Sequence, residues 1–151
     1  MRRASRSRGP NRSAAAPLDA LLGYVKESLR DPKTAAPNAA KALETCDLVL
    51  SAAGDCLPAD YPERSTLTAT AHSRRGDALL LLGRPEDALA AFNAAAALTP
   101  DNAYVIYNRG CALLALDRKD EAKADFTTAS GAKYKRTGAR KLALEALAGM
   151  K

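Results

Sequence analysis

The 151-residue chain has no tryptophan, two phenylalanines and an aromatic share of 5%. A core this poor in rings must be filled by aliphatic side chains and alanine, and alanine is the strongest helix former and lets helices approach closely. Histidine occurs once, at His72. That excludes His-rich metal sites, and no Ser-His-Asp or Cys-His arrangement is expected, which leaves a carboxylate-only site as the remaining catalytic option. Cysteine occurs three times, at Cys46, Cys56 and Cys111, an odd number without metal-ligand spacing. Reduced thiols in an intracellular compartment are expected, with Cys46 and Cys111 as small hydrophobes on helical patterns. No apolar run approaches the roughly 18 residues of a membrane span, so the chain is expected to be soluble or peripheral. No glycine-rich phosphate loop is present, and Gly131 and Gly138 complete no nucleotide motif. Neither a metal nor a cofactor is expected.

Acidic residues are missing from residues 1 to 13, which carry Arg2, Arg3, Arg6, Arg8 and Arg12. Residues 14 to 132 hold 12 basic and 16 acidic side chains, whereas residues 133 to 151 hold six basic and one acidic. Basic ends on a mildly acidic body favour anionic contacts at the termini over a basic groove on the body. Residues 1–17, rich in Arg, Ser, Ala and Pro, show no apolar period and cannot form a core. They read as an extended arm for an anionic partner surface, with a targeting remnant and an incidental tail as alternatives; the absence of an apolar h-region excludes a secretory signal. RNA, an acidic protein wall and anionic lipid all reward arginine density, and the arm has no interleaved aromatic for base stacking.

What the chain has in abundance is alanine and leucine at helical spacing. Leu18, Leu21, Leu22, Val25 and Leu29 share one face, and Asp31-Pro32 should end that helix. A second helix is expected from Pro37-Asn38 to about Gly54, with Ala42, Leu43, Cys46, Val49 and Leu50 on its apolar face. Residues 54 to 64 read as a loop. Ser65 or Thr66 should cap a helix running to Leu82, which Gly83 ends in the left-handed region. Arg84-Pro85-Glu86-Asp87 opens the next helix, which stops before Pro100. Asp101-Asn102 opens another, where Asp117 replaces the glycine at the turn; residues 119 to about 130 follow, with Gly131 as their stop. A last helix over 137 to 147 should bury Leu142, Leu144 and Leu147. The adjacent carboxylates Glu86-Asp87 and Asp120-Glu121 are explained by the helix dipole rather than by acid-base chemistry.

Residues 69 to 102 can be laid over 103 to 136 without a gap. Arg75-Gly76, Ala78-Leu79-Leu80, Leu82, Arg84, Ala88, Ala90, Phe92 and Ala95 return 34 residues later as Arg109-Gly110, Ala112-Leu113-Leu114, Leu116, Arg118, Ala122, Ala124, Phe126 and Ala129. The glycine, arginine and phenylalanine pairs weigh most, because an alanine-rich chain repeats alanine by chance. A 34-residue period is that of one helix-turn-helix unit in a solenoid.

This pattern resembles the tetratricopeptide repeat family. Gly76 and Gly110 stand where the first helix of a unit crosses the second, Ala88 and Ala122 open the second helix, Phe92 and Phe126 fill the gap between successive hairpins, and Pro100 ends a unit. The match departs at His72 and Ile106 in the family's tryptophan place, at Arg75 and Arg109 before the glycine, and at Tyr134 where proline is common. Leu22-Gly23, with Ala42, Cys46 and Val49, fits a degenerate first unit. The resemblance implies an all-α fold: a right-handed superhelix of about three hairpins and a capping helix. Its domain plan is an arm at 1–17, a degenerate repeat at 18–54, a loop at 55–64, repeats at 65–102 and 103–136, and a cap at 137–149.

The family's concave side, lined by first helices, binds peptides or partner proteins. By that resemblance the groove presents Thr70, Ser73, Arg74, Asp77 and Leu81, then Tyr104, Tyr107, Asn108, Cys111 and Ala115. A reading with Tyr107 in the core and only Tyr104 at solvent stays open. Some family members hold acidic chaperone tails with a lysine-asparagine-asparagine-lysine-arginine clamp. Here the matching positions are Ser73, Asp77, Asn108, Gly138 and Leu142, or, one hairpin earlier, Ala20, Tyr24, Arg74, Tyr104 and Asn108, so a chaperone-tail adaptor is not expected. The leading expectation is a non-catalytic adaptor or scaffold subunit inside a larger assembly. A ribosome-type subunit touching RNA through its arm, and an organelle assembly factor, are the alternatives. The compartment stays open between a cytoplasmic or cytoskeletal assembly and a mitochondrion or plastid.

Overall fold

The computed structural model describes residues 15–150. Among these, seven α-helices and one short 3-10 turn follow each other without a strand: α1 (Ala16–Ser28), α2 (Pro32–Cys56), α3 (Arg64–Leu81), α4 (Pro85–Leu98), α5 (Ala103–Ala115), α6 (Lys119–Ala129), the turn Ala132–Tyr134 and α7 (Gly138–Gly149). Each helix packs on the next, and α1, α3 and α5 also touch in succession along one side. The result is an all-α helical-repeat solenoid of three hairpins closed by α7.

The joints of the two regular hairpins show why the sequence repeats. Gly76 of α3 lies against Phe92 of α4, and a Cβ built on that glycine would sit 2.6 Å from the ring. Gly110 of α5 meets Phe126 of α6 in the same way, at 2.7 Å. Both rings are fully buried. The rings therefore fill the gap within their own hairpin, facing the glycine that makes room for them, rather than only the gap between hairpins. Phe92 also shares a cluster with Ala112 of the next unit, so each ring contributes to stacking as well. Gly83 (φ 69°) and Asp117 (φ 58°) take the left-handed conformation at the two equivalent turns, as the sequence requires. Arg84 and Arg118, just before α4 and α6, pair with Asp87 and Glu121 in the first turns they precede.

The first hairpin differs from its sequence reading. α2 begins at Pro32, five residues before Pro37, because Asp31 caps it by accepting a hydrogen bond from the Lys33 amide at 2.9 Å. Pro37 sits inside the helix. Asn38 beside it donates to the Ser28 carbonyl at 3.2 Å, tying α2 to the end of α1. Gly23 has open space around it, so the expected close approach at Leu22-Gly23 is absent; α2 presents no ring there. The buried seam is Leu18, Leu22 and Val25 against Ala42, Cys46 and Val49.

One other boundary moves. α3 starts after Glu63 with no side-chain cap, not after Ser65 or Thr66. Leu57 and Tyr61 of the preceding loop are buried, and Arg64 donates to the Leu57 carbonyl, which anchors the loop as part of the core. α6 runs to Ala129 and stops before Gly131 through the right-handed C-cap Ser130, and the 3-10 turn follows. Finally, α7 turns Ala139 and Ala143 inward while Leu142 and Leu144 stay 40% and 46% exposed. Small side chains win the inner face because the cap must lie close over Tyr134, Phe126 and Ala103.

Candidate functional site

The inner side of the stack is formed by the first helices of the three hairpins. Lys26 of α1, Thr66, Thr70, Ser73 and Arg74 of α3, and Tyr104, Val105 and Asn108 of α5 line a cleft of about 400 Å³, together with Thr99 and Asn102 from the α4–α5 turn. A second lobe of about 460 Å³ shares Lys26 and Arg74 and adds Leu29, Arg30, Asp77, Leu80 and Leu81. Hydroxyls, carboxamides and basic side chains line the first lobe. Leucines and a carboxylate line the second.

The expected groove residues divide into two groups. Thr70, Ser73, Arg74, Tyr104 and Asn108 line the first lobe, and Asp77 and Leu81 the second. Tyr107 and Cys111 lie elsewhere: they pack with Phe126, Ala139 and Ala143 between α5, α6 and α7. The Tyr107 ring stands 5.6 Å from that of Phe126, and burial, followed by its hydrogen bond with Cys111, pushes its phenol up to about 12. For Tyr107 this is the open reading that packs it in the core and leaves only Tyr104 at solvent; Cys111 joins it because α7 covers this end of α5, which the geometry of an internal repeat does not anticipate. Ala115 is exposed and lines neither lobe. Tyr104 remains 49% exposed, with its hydroxyl lodged beside Gly138 of α7. Arg2, Arg3, Arg6, Arg8 and Arg12 lie outside the described residues.

Lys26, Leu29 and Arg30 were not expected at the groove. All belong to the irregular first hairpin, whose register the 34-residue period does not fix. The signal that could have found them is the apolar face itself: with Leu18, Leu22 and Val25 turned inward, Lys26 and Leu29 follow on the flank toward α3.

Two hydrogen bonds organise the floor. Arg74 donates from Nη1 to Asp77 Oδ2 at 3.1 Å, and Asn108 donates from Nδ2 to Asp77 Oδ1 at 2.9 Å, which joins α5 to α3 across the groove. Burial pushes the Asp77 carboxyl up to about 6, against the opposing pull of Arg74. His72, on α3, is held below its ordinary range by burial and then by Arg75. Its Nδ1 is buried without a hydrogen-bond partner, and among the described residues no group of three or more His, Cys, Asp or Glu could hold a metal ion.

Family models described as tetratricopeptide repeat match residues 69–102 and 103–147, together more than half of the chain. The chain belongs to the tetratricopeptide repeat family. No curated protein matches it. Repeats of this family serve protein–protein interaction and scaffolding, and they are generally non-catalytic modules. Among the described residues, no helix is long and apolar enough to cross a membrane.

Proposed function

We propose that this protein is a non-catalytic adaptor subunit of a larger assembly, holding a segment of a protein partner along its inner face. The observation that carries this reading is the pair of linked lobes, built from three first helices, with polar groups at one end and Leu29, Leu80 and Leu81 at the other. Such a surface gives a bound segment both hydrogen-bond partners and apolar burial. The groove residues we assign are Thr70, Ser73, Arg74, Asp77, Leu81, Tyr104 and Asn108, with Lys26 added. Arg2, Arg3, Arg6, Arg8 and Arg12 contact an anionic surface of the same assembly. Crosslinking mass spectrometry on the native particle tests both halves: crosslinks should join the inner face and the arm to neighbouring subunits. A free monomer in native mass measurements on extract would reject the subunit reading.

A second reading rests on charge. The basic cluster Lys133, Lys135, Arg136, Arg140 and Lys141 at the capped end joins the five arginines of residues 1–13 as a second positive region. A ribosome-type peripheral subunit would use these on RNA phosphates. It requires salt-sensitive RNA binding that falls when residues 1–13 are removed, and unchanged retention would reject it.

A further inference from the structure

One cation of the groove, Arg74, is already engaged by an acid of the same chain, Asp77. Arg74 gives Nη1 to Asp77 while its buried Nε has no partner, so Asp77 leaves the guanidinium incompletely satisfied. Asn108 turns its amide to the same carboxylate. Lys26 borders both lobes, and Leu80 and Leu81 stand beside it. Two basic side chains from different helices, a carboxamide and flanking leucines suit carboxylates on a peptide that also carries apolar side chains. They suit nucleic acid less well, because single strands are held by stacking successive bases on aromatic faces and Tyr104 is the single aromatic lining the two lobes.

We propose that the inner face binds an acidic peptide segment, and that Asp77 is a built-in competitor occupying the donors of Arg74 and Asn108 that the peptide's carboxylates need. The inference rests on the groove being the partner site. An incoming carboxylate meets the like charge of Asp77 in a partly buried site, where water screens poorly. Neutralising Asp77 removes that repulsion and releases Arg74. The charged and polar groups beside Asp77 are Arg74 on its own helix, Lys26 and Arg30 of α1 in the same lobe and Asn108 of α5, and the thiols of Cys46 on α2 and Cys111 on α5 lie near enough to feel its charge. Both thiols stay protonated near neutral pH because burial raises them. The Asp77 carboxyl takes up its proton at about 6. Peptide glutamates, with an ordinary value of about 4.3, are then still ionised. Affinity should therefore rise as pH falls from neutrality.

Fluorescence anisotropy of the full chain with a labelled hexaglutamate peptide tests this, with hexalysine as control. At pH 7.5, Asp77→Asn should bind about tenfold more tightly than the unchanged protein, the scale of one close charge pair. The unchanged protein should gain a similar factor between pH 7.5 and 5.5. Asp77→Asn should stay flat over that interval, which also removes His72 as the source. Adding Arg74→Gln should abolish the gain, and Asp77→Ser should reproduce it if the asparagine variant folds poorly. Equal affinity of the unchanged and neutral variants would overturn the proposal. So would a gain that survives Arg74→Gln, since the peptide would then be on the basic termini, or a gain seen for a single-stranded oligonucleotide and not for hexaglutamate. Native crosslinks on the inner face with no Asp77 effect would reject only the competitor; crosslinks that avoid the inner face would reject the groove reading itself.

Discussion

The hairpins at residues 69–102 and 103–136 use the same arginine in opposite directions. Arg75 reaches back to the preceding hairpin, donating to Asp47 of α2 at 2.7 Å, whereas Arg109 turns into its own hairpin and makes two bonds of 2.7 Å to Asp125 of α6. The cause is local. The position 34 residues before Asp125 is Ala91, so α4 offers Arg75 no acid at that place, and beside Arg109 α4 presents Leu89 and Asn93 rather than a carboxylate. A repeat thus conserves its sterics while its electrostatics follow whichever acid is near. The glycine-phenylalanine joints are interchangeable and the ion pairs are not.

The largest test of the shared part is truncation of the rings. Phe92→Ala and Phe126→Ala should each cost about 3 to 5 kcal/mol, measured by urea unfolding, because a fully buried ring leaves a cavity that rigid neighbours cannot close. A small loss at one site would show that the two joints are not equivalent. Next, Gly76→Ala and Gly110→Ala should each cost about 1 to 3 kcal/mol by overpacking against their rings. Gly23→Ala, in open space on α1, should instead stabilise by about 0.4 to 1 kcal/mol. Thermal melts of the three variants would reveal a joint in the first hairpin if Gly23→Ala behaved like the other two.

The ion pairs should separate more weakly. Asp125 is 11% exposed and holds both arms of a guanidinium, so Asp125→Asn should cost about 1.5 to 3 kcal/mol. Asp47 is 52% exposed with a single bond, and Asp47→Asn should cost about 0 to 1 kcal/mol. Equal losses in chemical denaturation would mean that exposure does not govern the difference. The smallest effect lies at the turns, where Gly83→Ala should cost about 1 kcal/mol for its left-handed backbone. Asp117→Gly should change stability by only a few tenths, because the gain in backbone ease is offset by a looser unfolded chain. A melt showing the reverse order would put strain at Asp117.

The regular hairpins were legible because their constraints are local and repeated. Gly76, Phe92, Gly83 and their partners each report a steric demand that few other residues meet. The first hairpin was less legible. Asp31-Pro32 carries two meanings, stopping one helix and opening the next, and Pro37 then looks like a start although it lies within the helix. Leucines misled at α7, where Ala139 and Ala143 take the inner face because closeness outweighed hydrophobicity. At the groove, seven expected residues border the two lobes, while Tyr107 and Cys111 lie beneath α7. Lys26 escaped notice because it belongs to the unit with no register, and the Asp77 network could not be read because it joins residues 31 positions apart across two helices.

The three cysteines differ in depth, and that turns them into a clock. Cys56 is exposed, Cys111 half-buried and Cys46 fully buried, with burial and then Asp47 pushing its thiol up to about 12. A thiol-reactive dye should therefore label Cys56 at once and Cys111 after local opening of the capped end, and reach Cys46 only when the first hairpin comes apart. The untouched protein can report, by the order and rate of three labelling events in a mass spectrum, which end of the stack loosens first.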